Sequence, residues 1–375
     1  MQRKVKNMSL DVNILPPDYI DFTIGDFRSG VEPTIIEELT KKVQTDGNGY
    51  TPGLGLPLLR EKIISHYRDT YGIKNISTEN IQITVSCLHG AFLALKSIIT
   101  SKDDEVIIIA PYFPSYINLI KGANGTPVVV KSIAPDFALP IKQIQDCVSE
   151  KTKAIIINYP NNPTGVGLSD QERNFLNELA LEKNIFIIDD HVYSDYPSTH
   201  PYKPTSTDIS HQVLVSSFSK NFAMPGIRLG YVIAPKKIID QNAFYNEGIT
   251  FSPPTISQYI GEIVLDNTSQ YQQHLKDIEQ KGKSVAQLFR SSNYFNSCTY
   301  NGGLYLFVKV TDEIKKPALF YTLLEEHFHV LVAPGDEFDY SNRYFRISLS
   351  ATNDDLHKGV QKIIDCVDYT LNFKQ

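Results

Sequence analysis

Cysteine is scarce in this chain of 375 residues: Cys87, Cys147, Cys298 and Cys366 are the only four, and no two form a C-x-x-C pair. That spacing offers neither a zinc site nor a disulfide framework, so no metal is expected and a reducing cytoplasm is the expected setting. No apolar run approaches the roughly 20 residues that a membrane-spanning helix needs. Arg3, Lys4 and Lys6 stand near the N-terminus, but residues 8–17 lack a sustained apolar core, and no secretory signal is expected. Positive charge is not in excess either: 36 Lys and Arg against 42 Asp and Glu leave a net charge of -6, with no global attraction to nucleic acid. Internal repeats and low-complexity tracts are absent.

The composition, 42% hydrophobic and 21% charged, is that of an ordinary soluble globular protein. Its length exceeds what one core usually serves, which implies two domains or one large domain with an appendage. Residues 20–27 alternate like a short strand that ends at Gly25. Residues 47–55 form a glycine-rich loop ahead of a helix from about Leu56, with Leu59, Ile63 and Tyr67 on one face. No strand feeds the pair Gly53 and Gly55 and no third glycine follows at the needed spacing, so it is not a dinucleotide fingerprint. Strands are expected at 81–85, 106–110, 128–130, 154–157, 185–188 and 213–215. Helices fall between them at 88–99 and 169–184, the second opened by a Ser169/Glu172 capping box. This alternation predicts an α/β fold with a mostly parallel sheet flanked by helices. Beyond Ile256 long helical stretches to Arg290 give way to strands at 303–310, 329–333 and 344–350 and a last helix at 354–371. They read as a smaller α+β domain that the N-terminal segment joins, with residues 31–275 as the large domain and 1–30 with 276–375 as the small one.

Several strand ends carry polar or aromatic sequences. Strand 106–110 runs to Tyr112 and Phe113; strand 154–157 to Asn158-Tyr159-Pro160-Asn161-Asn162-Pro163-Thr164-Gly165; strand 185–188 to Asp189-Asp190-His191-Val192-Tyr193; strand 213–215 to Ser216-Ser217-Phe218-Ser219-Lys220. The carboxyl edge of such a sheet is where ligands bind. A lysine there, with serines before it and Arg228 eight residues on, suits Schiff-base chemistry beside an anion. Taken singly, each segment is also a good turn, cap or core sequence.

Asn162-Pro163-Thr164-Gly165 and Ser217-Phe218-Ser219-Lys220, with Gly226-Ile227-Arg228-Leu229-Gly230, resemble the class I/II aminotransferases of the fold type I pyridoxal-phosphate enzymes. The likeness runs in order from Gly25 to Arg346. It implies a seven-stranded sheet in the large domain, pyridoxal 5'-phosphate as cofactor, an amino acid and a 2-oxo acid as substrates, and a homodimer with shared sites. By that resemblance Lys220 holds the cofactor and moves the substrate α-proton. Asp190, three residues before Tyr193 in the family's pattern, pairs with the ring nitrogen, with Asp189 as the competitor. Tyr193 and Asn162 bond the ring oxygen, and Phe113 stacks on the ring. Ser217, Ser219, Arg228 and the turn at Cys87, Leu88 and His89 hold the phosphate, which Tyr50 reaches from the other subunit. Arg346 takes the substrate carboxylate beside Gly25 and Asn162.

The chain departs from the family pattern at Cys87, where glycine is usual, at Leu88-His89 in place of small or hydroxylated residues, and at His191 in place of glutamate. His89 is open to a phosphate contact or to a structural role at the helix start, and His191 is read as having no catalytic role. Residues 246–254 contain no cation, and no arginine lies between Arg228 and Arg290. Phe22, Phe27, Phe251 and Phe338 fall in segments that the resemblance places at the pocket mouth, so a neutral or aromatic donor is expected. A β-lyase, decarboxylase or oxidase on the same scaffold is the alternative. A non-catalytic regulator is the reading from another class, and the retained Lys220, Asp190 and Arg346 speak against it.

Overall fold

The computed structural model describes residues 16–27, 30–73, 75–295 and 297–372; the basic residues at 3, 4 and 6 and most of the 8–17 stretch lie outside these. The chain opens with β1 (Ile20–Asp21), α1 (Pro33–Asp46) and α2 (Pro57–Tyr71). The central sheet then builds from β2 (Ile81–Thr84), β3 (Glu105–Ala110), β4 (Thr126–Lys131), β5 (Thr152–Ile157), β6 (Phe186–Asp190), β7 (Gln212–Ser217) and β8 (Gly230–Ile233). Between its strands run α3 (Cys87–Ile98), α4 (Ser115–Gly122), α5 (Ile141–Cys147) and α6 (Asp170–Lys183). The helices α7 (Lys236–Glu247), α8 (Thr255–Asp266) and α9 (Ser269–Arg290) follow. The remainder is β9 (Tyr305–Lys309), α10 (Pro317–Glu326), β10 (Val330–Leu331), β11 (Ala333–Pro334), β12 (Tyr344–Ser348) and α11 (Asn353–Asn372).

The seven strands of the sheet lie in the order β2-β8-β7-β6-β5-β3-β4. The pairs from β7 to β4 are parallel, and β8 runs antiparallel to both its neighbours. Strand β8 escapes the hydrophobic pattern because it is only four residues long and opens at the glycine that closes the Gly226–Gly230 run. Both faces of the sheet are covered: Val106, Ile108 and Ala110 of β3 enter one apolar cluster, Ile107 and Ile109 another. A strand buried on both faces reads as the continuous apolar run seen here. The capping box of α6 is present, Ser169 Oγ accepting from Glu172 N and Glu172 Oε2 from Ser169 N at 2.7 Å.

Outside the sheet, β9, β12 and β11 form an antiparallel trio, and β1 pairs in parallel with β10. The single strand expected at 329–333 is thus two: Val330–Leu331 pairs with β1, whereas Ala333–Pro334 turns to β12. The strand expected at 20–27 is also shorter. After Asp21 the chain is diverted by Thr23, whose N–H and hydroxyl both donate to the Asp21 carboxylate (2.7 and 2.6 Å). Phe22 O still accepts from Ser348 N of β12 (3.0 Å), but the carbonyls of Thr23, Ile24 and Gly25 meet side chains instead.

Candidate active site

Strands β7, β6, β5 and β3 are adjacent and parallel, so their carboxyl ends share one edge of the sheet. That edge gathers Lys220, Asp190, Asn162 and Phe113. Strand alternation decides between the two aspartates. Asp190 pairs with Val215 and shares a face with Ile188, Val213 and Cys87; Asp189 pairs with Leu214 and points to the other face. There Asp189 accepts from the Tyr202 hydroxyl at 3.0 Å, and burial raises its pKa to about 8. Asp190, only 4% exposed, accepts from the Tyr116 hydroxyl at 2.7 Å and from Val192 N–H at 3.4 Å. Burial raises its proton affinity; the groups that oppose this, the Tyr116 hydroxyl, Cys87 thiol and Val192 N–H, are all neutral. A buried acid facing no cation fits a protonated ring nitrogen.

The turn after β5 is tied down by Asn158, whose amide donates to Asp190 O (2.7 Å) and whose Oδ1 accepts from Asn162 N (3.0 Å). Gly165, at φ 73°, closes this turn so tightly against Gly302 O that a side chain would collide with it. Asn162 Oδ1 in turn accepts from Arg346 Nη1 at 2.8 Å. Arg346, on β12 and 2% exposed, also donates through Nη2 to Thr23 O, and its Nε is buried without a partner. Its guanidinium lies 4.2 Å from the Tyr305 ring centroid and 4.9 Å from that of Phe338. Lys220 Nζ donates to Gly25 O. Gly25 has to be glycine, because a Cβ would stand 2.4 Å from the Tyr305 hydroxyl. Tyr193, buried three residues beyond Asp190, donates to that same hydroxyl at 3.3 Å.

The start of α3 leaves backbone N–H groups free of the helix ladder. Ser86 caps the helix, accepting from His89 N at 3.1 Å, while Cys87 and Leu88 open it with N–H groups that the helix itself does not use. His89 Nδ1 accepts from Val85 N (3.4 Å), its Nε2 is buried without a partner, and burial lowers its pKa. Ser217 and Ser219 stand together, Ser219 N donating to Ser217 Oγ (3.3 Å), and Ser217 pairs with Gly230, whose Cα abuts Ser86 and Cys87. Arg228 is exposed, and its guanidinium donates to Pro225 O (2.6 Å). Tyr50 is 87% exposed and rests edge-on against Phe251, so neither it nor Arg228 is drawn into this chain's own site. Phe113 is half-buried against Tyr116, ring centroids 5.9 Å apart. His191 lies below: its Nε2 meets the Tyr67 hydroxyl, its Nδ1 meets Asp189 O (3.1 Å), and burial lowers its pKa to about 4. Phe22, expected at the pocket mouth, is instead core, packed on Gly359 of α11.

Residues 17–363 match the family described as aminotransferase class I and II. The chain belongs to that family. It is 30% identical over 356 residues to an aspartate aminotransferase of Pyrococcus horikoshii, covering 92% of this chain and 90% of that protein. A (5-formylfuran-3-yl)methyl phosphate transaminase of Methanocaldococcus jannaschii is 31% identical, with 92% and 90% covered. The solved structure of an aromatic aminotransferase from Pyrococcus horikoshii superposes with a TM-score of 0.88 at 26% identity, over 94% of this chain and 96% of that one. The fold is therefore that of the fold type I enzymes, and the protein is an aminotransferase.

Three residues at this edge had no role in the reading of the sequence. Asn158 stood within a motif already noted. Tyr116 and Tyr305 could be found only through contacts 74 and 112 residues away in the chain.

Proposed function

We propose that the protein is a pyridoxal-phosphate aminotransferase that moves an amino group between an L-amino acid and a 2-oxo acid, with a neutral or aromatic donor preferred. The observation that carries this reading is Asp190: a buried carboxyl at the end of β6, whose charge-stabilising partners are the neutral Tyr116, Cys87 and Val192, on the strand beside the one that leads to Lys220. The donor set fits the cofactor throughout. Helix α3 offers N–H groups to a phosphate, with Ser217, Ser219 and Arg228 beside it; Phe113 offers a ring face, and Tyr193 and Asn162 offer donors for a ring oxygen. When bound, the cofactor supplies an electron sink for the carbanion formed at the substrate α-carbon.

The chain's own groups do the rest. Lys220 would hold the cofactor, and its amine would take the substrate α-proton and return it. Arg346 orients the substrate through its carboxylate, a planar fork for a planar anion. Arg228, held at Pro225 O by a single hydrogen bond, would supply the cation for the phosphate.

Tyr50, Phe251, Ile249, Ile256, Leu58 and Phe244 are exposed although large and apolar. The exposed Tyr50–Phe251 pair, ring centroids 5.3 Å apart, supports a homodimer in which Tyr50 serves the other chain's phosphate. A cytoplasmic dimer, with residues 31–275 as one unit and 1–30 with 276–375 as the other, completes the reading.

The donor preference rests on residues 246–254, which hold no cation. Seating a second carboxylate without a partner costs several kcal/mol, on the order of a thousandfold in specificity. Single-turnover conversion of the bound cofactor to its amino form should run faster with phenylalanine, leucine or methionine than with aspartate or glutamate. Aspartate as the best donor by a wide margin would refute the preference and leave the aminotransferase assignment standing.

A further inference from the structure

Tyr305 is the residue through which the separate parts of the site touch. It sits on β9, buried, with its ring against the Arg346 guanidinium at 4.2 Å. Its hydroxyl is 3.3 Å from that of Tyr193 and is wedged under Gly25, whose carbonyl holds Lys220 Nζ. One phenol thus meets Arg346 by its face, Tyr193 by its oxygen, and the glycine that anchors Lys220 by its edge. A core tyrosine has no need of such company.

We propose that Tyr305 is a positioning residue of the site, acting through Tyr193 by its hydroxyl and through Arg346 by its ring. The proposal rests on the cofactor assignment above. A hydroxyl has one proton and two acceptor positions, so the Tyr193–Tyr305 pair can run in either direction. With Tyr193 donating to the cofactor's ring oxygen, its own oxygen is left as an acceptor, and Tyr305 donates to it. Two phenols in series make Tyr193 a stronger donor than it is alone. Stronger donation favours negative charge on the ring oxygen and lowers the pH at which the bound cofactor gives up its proton. The ring has a second task. Stacked on the guanidinium, it fixes the plane in which Arg346 presents its fork, and a cation over an aromatic face is attracted to it.

The charged and titratable groups around Tyr305 support this arrangement. Lys220 beyond β7, Arg346 on β12, and Tyr193 and Tyr196 beyond β6 face it. Burial pushes the phenol up; the Lys220 and Arg346 charges pull it down, as does the hydrogen bond while Tyr193 donates, and with that bond reversed the two charges still act downward. A phenol so placed is a readier donor than a typical tyrosine.

The test uses the cofactor-loaded protein and follows the bound cofactor's absorbance as a function of pH, with amino-acid KM measured alongside. Tyr305→Phe removes the hydroxyl and keeps the ring. Losing one neutral hydrogen bond should move the absorbance midpoint upward by about half a unit to one unit, with KM for the amino donor little changed. Tyr305→Leu removes both, and should show the same upward shift together with a rise in KM of about tenfold. A structural tyrosine would leave the midpoint where it is in both variants. An unmoved midpoint in Tyr305→Phe, with a normal wild-type titration, overturns the proposal alone. A wild-type protein that shows no cofactor band at all overturns the cofactor assignment and this proposal with it.

Discussion

Replacing Arg346 by lysine keeps the positive charge and removes the fork, which makes it the sharpest probe of how the substrate is held. In the structure the guanidinium is clamped from four sides: Asn162 Oδ1 at 2.8 Å, Thr23 O, and the rings of Tyr305 and Phe338. A planar group so fixed presents two parallel N–H donors to a carboxylate, and an ammonium at the end of a flexible stem presents one. The lost charge-assisted hydrogen bond is worth about 2–3 kcal/mol, or a fall of roughly 30- to 150-fold in kcat/KM. That fall should be shared by the amino donor and the 2-oxo acid, since both carry the same carboxylate. Steady-state kinetics on both substrates measures it, and a spectral titration of cofactor affinity provides the control. Loss below about threefold, or a parallel loss of cofactor binding, would refute the role given to Arg346.

Two further predictions concern the groups around that centre. Asp189, with its pKa raised to about 8, contributes stability that is full below the unfolded value and lost as pH rises through 8; His191, lowered to about 4, acts in the opposite sense between pH 6.5 and 4. The two slopes oppose each other below pH 6.5, and above it the Asp189 slope is left, so Asp189→Asn should remove a decline of about 2 kcal/mol between pH 6.5 and 8. Urea midpoints at the two pH values measure this, and equal declines in variant and wild type would refute it. Mixing Tyr50→Phe with Lys220→Ala protein should give activity above the sum of the two alone, because one hybrid site then has both native residues. A fully active protein that stays monomeric at assay concentration would exclude the shared site.

The sheet was legible because its strands are short β-branched runs buried on both faces, and 106–110 or 154–157 admit little else. Weak pattern hid β8, whose four residues open at a glycine. The segment after Asp21 looked like a strand because its side chains alternate; the carbonyls of Thr23, Ile24 and Gly25 are spent instead on the side chains of Arg346, Ser350 and Lys220. Of the two aspartates, the family pattern favoured Asp190, and the pairing of Asp190 with Val215 places it on the face with Cys87 and Tyr116. Tyr116 and Tyr305 carried no local signal at all. Each looks like one aromatic among many until the fold brings a distant strand or turn against it, and such contacts have no spacing to read.

The account turns on Lys220. Borohydride reduction of the cofactor-loaded protein, followed by proteolysis and peptide mapping, should place a single label on the peptide that contains Ser217-Phe218-Ser219-Lys220, and Lys220→Ala should abolish it. A label on any other lysine, or none on this peptide, would contradict the site described above.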